Sequence, residues 1–270
     1  MNEDFKNKLI RKHQTGKAFP SNEAIKNLFE DIMALLFPNF SDQRLTNIDL
    51  VNERIESIRE RLTKLILFHP SYCEESHKMV TEKFIASLET LEKLLDLDIE
   101  AIYQGDPAAK SKEEIVRSYP GFYAIASYRI AHQLHKLCVK VIPRIITELA
   151  HHKTGIDIHP AAEIDHSFCI DHGTGIVIGE TTVIGHNVKL YQGVTLGALS
   201  VNKEDANNKR HPTIEPYVVV YANATVLGGN TTIGHHSIIG GNTWVTSSIE
   251  PFSKIYYVTG NNKIEKQTSK

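Results

Sequence analysis

A branched aliphatic residue recurs at every sixth position through the second half of this 270-residue chain. Ile158, Ile164 and Ile170 lie six apart; so do Ile178, Ile184, Leu190 and Leu196, then Ile214, Val220 and Val226, then Ile233, Ile239 and Val245. Eighteen residues, three whole periods, separate Leu196 from Ile214, so the register survives the polar stretch between them. Such a period fits neither an α-helix nor a two-sided strand. It fits a parallel β-solenoid, in which each hexapeptide makes one short flat face and turns a corner. Three hexads complete a triangular coil, and coils stack at a strand spacing of about 4.8 Å. The aliphatic side chains point inward. Residues following them, as in Ile178-Gly179, Ile184-Gly185, Ile233-Gly234 and Ile239-Gly240, are expected to take the positive φ of tight corners.

The period breaks in three places. Eight residues separate Ile170 from Ile178, and the excess contains Asp171-His172-Gly173-Thr174-Gly175. Between Leu196 and Ile214 the stretch GALSVNKEDANNKRHPT has little aliphatic content and is expected to leave the coil as a loop. Seven residues separate Val226 from Ile233, through Leu227-Gly228-Gly229-Asn230. Extra residues at a solenoid corner are where such scaffolds carry function. The first two breaks are read that way, the third as a bare bulge.

The first half has a helical period. Ile55, Ile58, Leu62 and Leu65 form one stripe, and Phe84, Leu88, Leu91 and Leu95 another. Asp106-Pro107 ends the second, because proline disfavours helix in the residue before it. A third helix is expected from Gly121 through Tyr128-Arg129 to Pro143, which should kink or break it. The division is therefore 1–152, a helical oligomerisation domain; 153–257, the solenoid; and 258–270, a polar tail.

Composition excludes several classes. A net charge of -2 gives no cause to expect a nucleic-acid or membrane partner. No apolar run reaches the roughly 18 residues of a membrane span, and the charged start MNEDFKNKLIRKHQ is not followed by the apolar core of a secretory signal. Cys73, Cys138 and Cys169 form no CxxC pair and read as reduced thiols, pointing to a cytoplasmic protein. Fourteen histidines call for separate acid–base and metal readings.

Asp157 lies fifteen residues before His172, short of one full coil, so the two can meet on neighbouring coils. A carboxylate beside an imidazole fixes its tautomer and raises its basicity. An isolated pair at this spacing is also compatible with a structural ion pair.

The stretch GIDIHPAAEIDHSFCIDHGTGIVIGETTVIG (155–185) strongly resembles the serine O-acetyltransferases, in its DIHP, DHGTGIVIGET and later RHP segments. VKLYQGVTLG (188–197), Lys209-Arg210-His211-Pro212, GDPAA (105–109) and GFYAIASYRIAH (121–132) extend the likeness over about 105–250. The resemblance implies an N-terminal α-helical domain followed by a left-handed parallel β-helix of hexapeptide repeats. That hand is implied by the likeness alone, since parallel crossovers are otherwise right-handed. It implies trimers, usually paired into hexamers, with active sites between adjacent β-helices. It implies acetyl transfer from acetyl-CoA, a co-substrate rather than a tightly bound cofactor, to the L-serine hydroxyl, giving O-acetyl-L-serine for cysteine biosynthesis.

Residue by residue, the likeness makes His172 the general base and Asp157 its orienting carboxylate. Asp106 and Asp171 would hold the serine ammonium, and Arg210 its carboxylate, a task suited to the planar guanidinium. His211 is a second site histidine and Glu180 a supporting carboxylate. Gly197, Ala198, Ala222 and Gly241 would admit the pantetheine arm of CoA along the edge of the β-helix. His159 is expected to be structural, His151, His152, His235 and His236 to sit on solvated corners, and Cys169 to pack near the site. The sequence departs from the family at Ala198, often glycine, and at VTGNNKIEK, where a GxPAR-like stretch is common. Many members end in isoleucine, which anchors O-acetylserine sulfhydrylase; this sequence ends in Lys270.

Three rival readings stand beside this one. A γ-type carbonic anhydrase would need three imidazoles converging on zinc at about 2.0–2.1 Å, drawn from His166, His172 and His186. Another hexapeptide acyltransferase could act on a sugar, but the Asp106, Asp171 and Arg210 set suits a zwitterion. An inert scaffold would have no use for an Asp157–His172 pair.

Overall fold

The computed structural model describes residues 1–16, 19–67, 76–199, 208–258 and 261–266. Cys73, the inner part of the long loop (200–207) and the chain's last four residues lie outside them. Helix α1 (Glu3–Thr15) buries none of its residues. Helices α2 (Asn22–Leu36) and α3 (Ile48–Leu67) pack on each other, and Ile58, Leu62 and Leu65 of the expected stripe are buried. The second stripe is divided at Ser87 between α4 (His77–Ala86) and α5 (Leu88–Gly105), yet Phe84, Leu88, Leu91 and Leu95 all enter one core. After α5 come α6 (Lys112–Ser118), α7 (Pro120–Lys136) and α8 (Ile142–Thr154). Pro143 does not kink a long helix as expected. It sits in the first turn of α8, where its missing N–H has no partner to lose. Among the described residues no helix is long and apolar enough to cross a membrane.

Among the described residues fifteen short strands follow, in three faces that are parallel except for the last strand. Face A holds β1 (Asp157–Ile158), β4 (Val177–Ile178), β7 (Thr195–Gly197), β10 (Thr225–Leu227) and β13 (Trp244–Val245). Face B holds β2 (Glu163–Ile164), β5 (Val183–Ile184), β8 (Thr213–Ile214) and β11 (Thr232–Ile233). Face C holds β3 (Cys169–Asp171), β6 (Lys189–Tyr191), β9 (Val219–Val220), β12 (Ile238–Ile239), β14 (Ser253–Val258) and β15 (Asn261–Lys266). This is a parallel β-solenoid of about five turns. Every aliphatic of the hexad series is buried, and the stacking keeps register across the breaks: Ile158 pairs with Ile178, Ile178 with Leu196, and Leu190 with Val220. The stretch expected as a polar tail supplies β15, antiparallel to β14.

The glycines after the inward aliphatics do not have the positive φ expected of them. They are small because the next coil lies on them. A Cβ at Gly185 would sit 2.8 Å from Pro216, and one at Gly234 2.4 Å from the Pro251 nitrogen. Positive φ falls later in the corner and mostly on non-glycine residues, among them Ser167, His172, Asn187, Tyr217, Asn223, His236, Asn242 and Phe252. The bulky ones stack: Tyr217 on His236 at 4.7 Å, and His236 on Phe252 at 5.0 Å. His235 and His236 thus lie on a corner as expected, whereas His151 and His152 belong to the last turn of α8.

The first coil would leave a row of backbone groups unpaired. Helices α5 and α7 cover it. Tyr128 Oη donates to the Ala162 carbonyl and accepts from the Ile164 N–H. Arg129 donates to the carbonyls of Ile164 and Asp165. Asp98 accepts two bonds from Arg129, at 2.9 and 3.0 Å, and one from the Phe168 N–H at 2.8 Å.

Candidate active site

The expected site residues collect at two corners, one at each end of face A. The corner between faces C and A carries His172. A Cβ at Gly173 would come within 2.5 Å of Ile156 Cδ1, so the backbone is pressed on the core there and the preceding imidazole is turned outward. Its side chain is 71% exposed. Asp171, the last residue of β3, lies 3.7 Å from His172 Nε2 and 2.8 Å from Lys189 Nζ.

Helix α5 delivers Asp106 to the same corner. Its end is seated closely on the solenoid: a Cβ at Gly105 would be 3.0 Å from Cys169 Sγ. The Gly105 carbonyl accepts from Lys189 Nζ at 2.6 Å. Asp106 accepts from Tyr119 Oη at 2.6 Å and from the Ala108 N–H at 2.8 Å. These bonds, with the nearby Lys189 and His172, hold the Asp106 carboxyl below the usual carboxylate range. Cys169 is buried beside them, its thiol pushed up to about 12 by desolvation, so it is no nucleophile.

The pair expected of Asp157 and His172 is not formed within the single chain. Asp157 is on β1, one coil below the His172–Gly175 bulge, but its carboxylate faces Arg144 of α8 at 3.6 Å. Glu148 and His151 lie beside it. A permanently charged guanidinium wins the carboxylate, and the imidazole stays turned to solvent. Spacing along the chain could show that the two coils are adjacent, but not which way the side chains turn.

The corner between faces A and B carries Glu180, Arg210 and His211. The His211 ring lies flat against Gly179, where a Cβ would sit 2.0 Å from it. Thr181 organises this corner. Its Oγ1 accepts from the N–H groups of Arg210 and His211, at 2.9 and 3.0 Å, so its own proton points at His211 Nδ1, 2.9 Å away. The Thr181 N–H also donates to Nδ1 at 3.1 Å. Nδ1 is therefore an acceptor, and the neutral ring carries its proton on Nε2. Burial, with Arg210 and Lys209 nearby, lowers the imidazole to about 4. His211 is thus a hydrogen-bond donor at neutral pH. Arg210 pairs with Glu180, and this pairing keeps Glu180 ionised against its partial burial.

Sequence reasoning missed Thr181 and Lys189. Thr181 follows Glu180 in the same motif, and only the carboxylate drew notice. Lys189 precedes an inward Leu190 and pairs in register with Cys169, so a charge facing out of face C beside β3 was the available signal. The third break, read as a bare bulge, seats the base of the long loop: a Cβ at Gly229 would be 2.0 Å from the Lys209 carbonyl oxygen. A cleft of about 530 Å³ opens there, lined by Leu199, Lys209, Arg210 and Gly228 among others.

The small residues proposed for CoA are shared between the corners. Gly197 ends β7 and Ala198 follows it, at the corner between faces A and B that also carries His211. Ala222 and Gly241 stack at the His172 corner, where a Cβ on Gly241 would be 3.0 Å from the Ala222 oxygen. His159 is structural, its Nδ1 accepting from the Ala161 N–H at 3.1 Å. The three histidines of a zinc site do not converge. His166 and His186 stack at 5.2 Å with planes 15° apart on the corner between faces B and C, and His172 lies at the other end of face C.

A hexapeptide solenoid with an outward imidazole, a carboxylate pair and a guanidinium defines the class as the hexapeptide-repeat acyltransferases. No family model matches the chain. The plasmid serine acetyltransferase of Synechococcus elongatus is 40% identical over 259 residues, covering 85% of this chain and 79% of its own. The serine acetyltransferase of Helicobacter pylori is 47% identical over 158 residues, 58% of this chain and 90% of its own. Among solved structures, serine acetyltransferase 1 of Entamoeba histolytica in complex with L-cysteine aligns with a TM-score of 0.77 at 31% identity, over 90% of each chain. The chain belongs to the serine acetyltransferases, and its activity is acetyl transfer to serine.

Proposed function

We propose that the chain transfers acetyl from acetyl-CoA to the L-serine hydroxyl by direct attack, with His172 as general base. The observation that carries this reading is the gathering of Asp106, Asp171 and an outward His172 at one corner by the end of α5 and β3. Asp106 and Asp171 receive the serine ammonium. Arg210 exchanges Glu180 for the serine carboxylate, and His211 donates from Nε2. His172 takes the hydroxyl proton as the serine oxygen bonds to the thioester carbon. The carbon–sulfur bond then breaks, and the CoA sulfur recovers that proton, leaving O-acetylserine and CoA. Asp157 steadies the ring once the imidazole turns inward and Arg144 gives it up.

The two half-sites lie at opposite ends of face A, so one chain cannot close them on a single serine. The proposal therefore sets the site between copies arranged as a trimer, or as a hexamer of two trimers, with CoA lying along Gly197 and Ala198 of one copy and Ala222 and Gly241 of the next. The Neisseria gonorrhoeae enzyme solved with serine supports the acceptor. The Entamoeba enzyme solved with L-cysteine supports binding of a thiol amino acid of the same shape. Free thiols at Cys138 and Cys169 support a reducing, cytoplasmic setting.

The test is release of CoA thiol from acetyl-CoA across a panel of amino acids. L-serine should be the preferred acceptor, and His172→Ala should lower turnover by at least about 10²-fold with fold and assembly intact. Near-wild-type turnover in that variant would reject His172 as the base.

A further inference from the structure

The ammonium of Lys189 lies inside the half-site that the proposed function assigns to another ammonium, that of the substrate. Its side chain is 15% exposed, its Nζ lies 2.8 Å from Asp171 Oδ2 and 2.6 Å from the Gly105 carbonyl, and it sits 4.4 Å over the Tyr191 ring. Burial disfavours the charge, but the bonds to Asp171 and Tyr191 outweigh it and hold the amine protonated, its pKa above the ordinary lysine value.

Two consequences follow from this placement. First, Gly105 is the residue before Asp106. One side chain therefore ties the β3 carboxylate to the backbone that presents the α5 carboxylate. Second, Asp106 and Asp171 together carry two negative charges, and the acceptor's ammonium brings one positive charge. Lys189 supplies the other. We infer that Lys189 is a positioning residue for the acceptor: it spaces the two carboxylates and neutralises half of their charge before serine arrives. This inference rests on the proposed acceptor site.

The groups facing the Lys189 ammonium and the His172 imidazole are Asp106 at the end of α5, Tyr119 ahead of α7, Cys169 and Asp171 on β3, and Tyr191 on β6. Removing the lysine charge leaves the Asp106 and Asp171 carboxylates uncompensated, and the tie from β3 to the end of α5 is lost with it.

The experiment compares Lys189→Met, Lys189→Gln and Lys189→Arg with the wild-type full chain, by kinetics in serine and in acetyl-CoA. Lys189→Met should raise the serine KM about tenfold or more and leave the acetyl-CoA KM within about twofold. Lys189→Gln can still donate to Gly105 but lacks the charge, so its serine KM should rise as in Lys189→Met; it carries the test if the methionine variant does not fold. Lys189→Arg, which keeps the charge, should hold the serine KM near the wild-type value. An unmoved serine KM in both neutral variants, with an active wild type, would overturn the inference alone. A wild type that does not acetylate serine would overturn the acceptor site and Lys189's part in it together.

Discussion

At the residue scale, Thr181 decides what His211 can do. A histidine whose Nδ1 receives two donors cannot act as a base through that atom, and its depressed basicity keeps it neutral at physiological pH. The hydroxyl also accepts from the N–H groups of Arg210 and His211, so it fixes the two residues that the proposed function sets against the substrate. Thr181→Val keeps the shape and removes these bonds. It should lower kcat/KM for serine about 10–100-fold, since a misplacement of about 1 Å can cost that much, while the thermal midpoint moves little. Steady-state kinetics beside a melting curve separate the two effects. Thr181→Ser, which keeps the hydroxyl, should recover most of the activity.

At the element scale, the solenoid needs its first coil closed, and helices α5 and α7 close it with side chains rather than with another strand. The Asp98–Arg129 pair is buried, and each member also binds first-coil backbone. Arg129→Met would strand a buried carboxylate and two carbonyls. The expected loss is about 3–5 kcal/mol, read from the urea midpoint. Adding Asp98→Leu should restore part of it, because a neutral pair leaves no unpaired charge. The same packing sets Asp106 in place: α5 carries Asp98 toward the coil edge and ends at Gly105 against Cys169. A slack cap would therefore reach the acceptor site as well as the stability.

At the scale of the molecule, the two half-sites on separate corners predict complementation. His172→Ala and His211→Ala chains should each be nearly inactive alone. Unfolded together in equal amounts and refolded, they should regain about a quarter of wild-type activity, the fraction of interfaces in a closed ring that pair an intact His172 corner with an intact His211 corner. No recovery from properly assembled mixtures would put both histidines in one chain's site and reject the shared arrangement. A cleft of about 800 Å³ between α7 and face B is lined by His132, His135 and Glu163 and holds neither His172 nor His211.

The hexad period by itself determined the solenoid, its inward column and the corners that carry chemistry, because a six-residue repeat has to bury the same position in every coil. The resemblance of the chain's motifs to the serine O-acetyltransferases marked Asp106, Asp171, His172, Arg210 and His211 as the residues to watch. Only the tertiary structure decided how they are used. Asp157 turns to Arg144, the corner glycines make room for the next coil instead of supplying positive φ, and Pro143 opens α8. Lys189 and Thr181 enter the site from positions that look ordinary along the chain. The physical reason is the same in each case. Periodicity reports which side of a strand faces the core, whereas hydrogen bonds and ion pairs depend on which groups from other coils and helices arrive at the outer side.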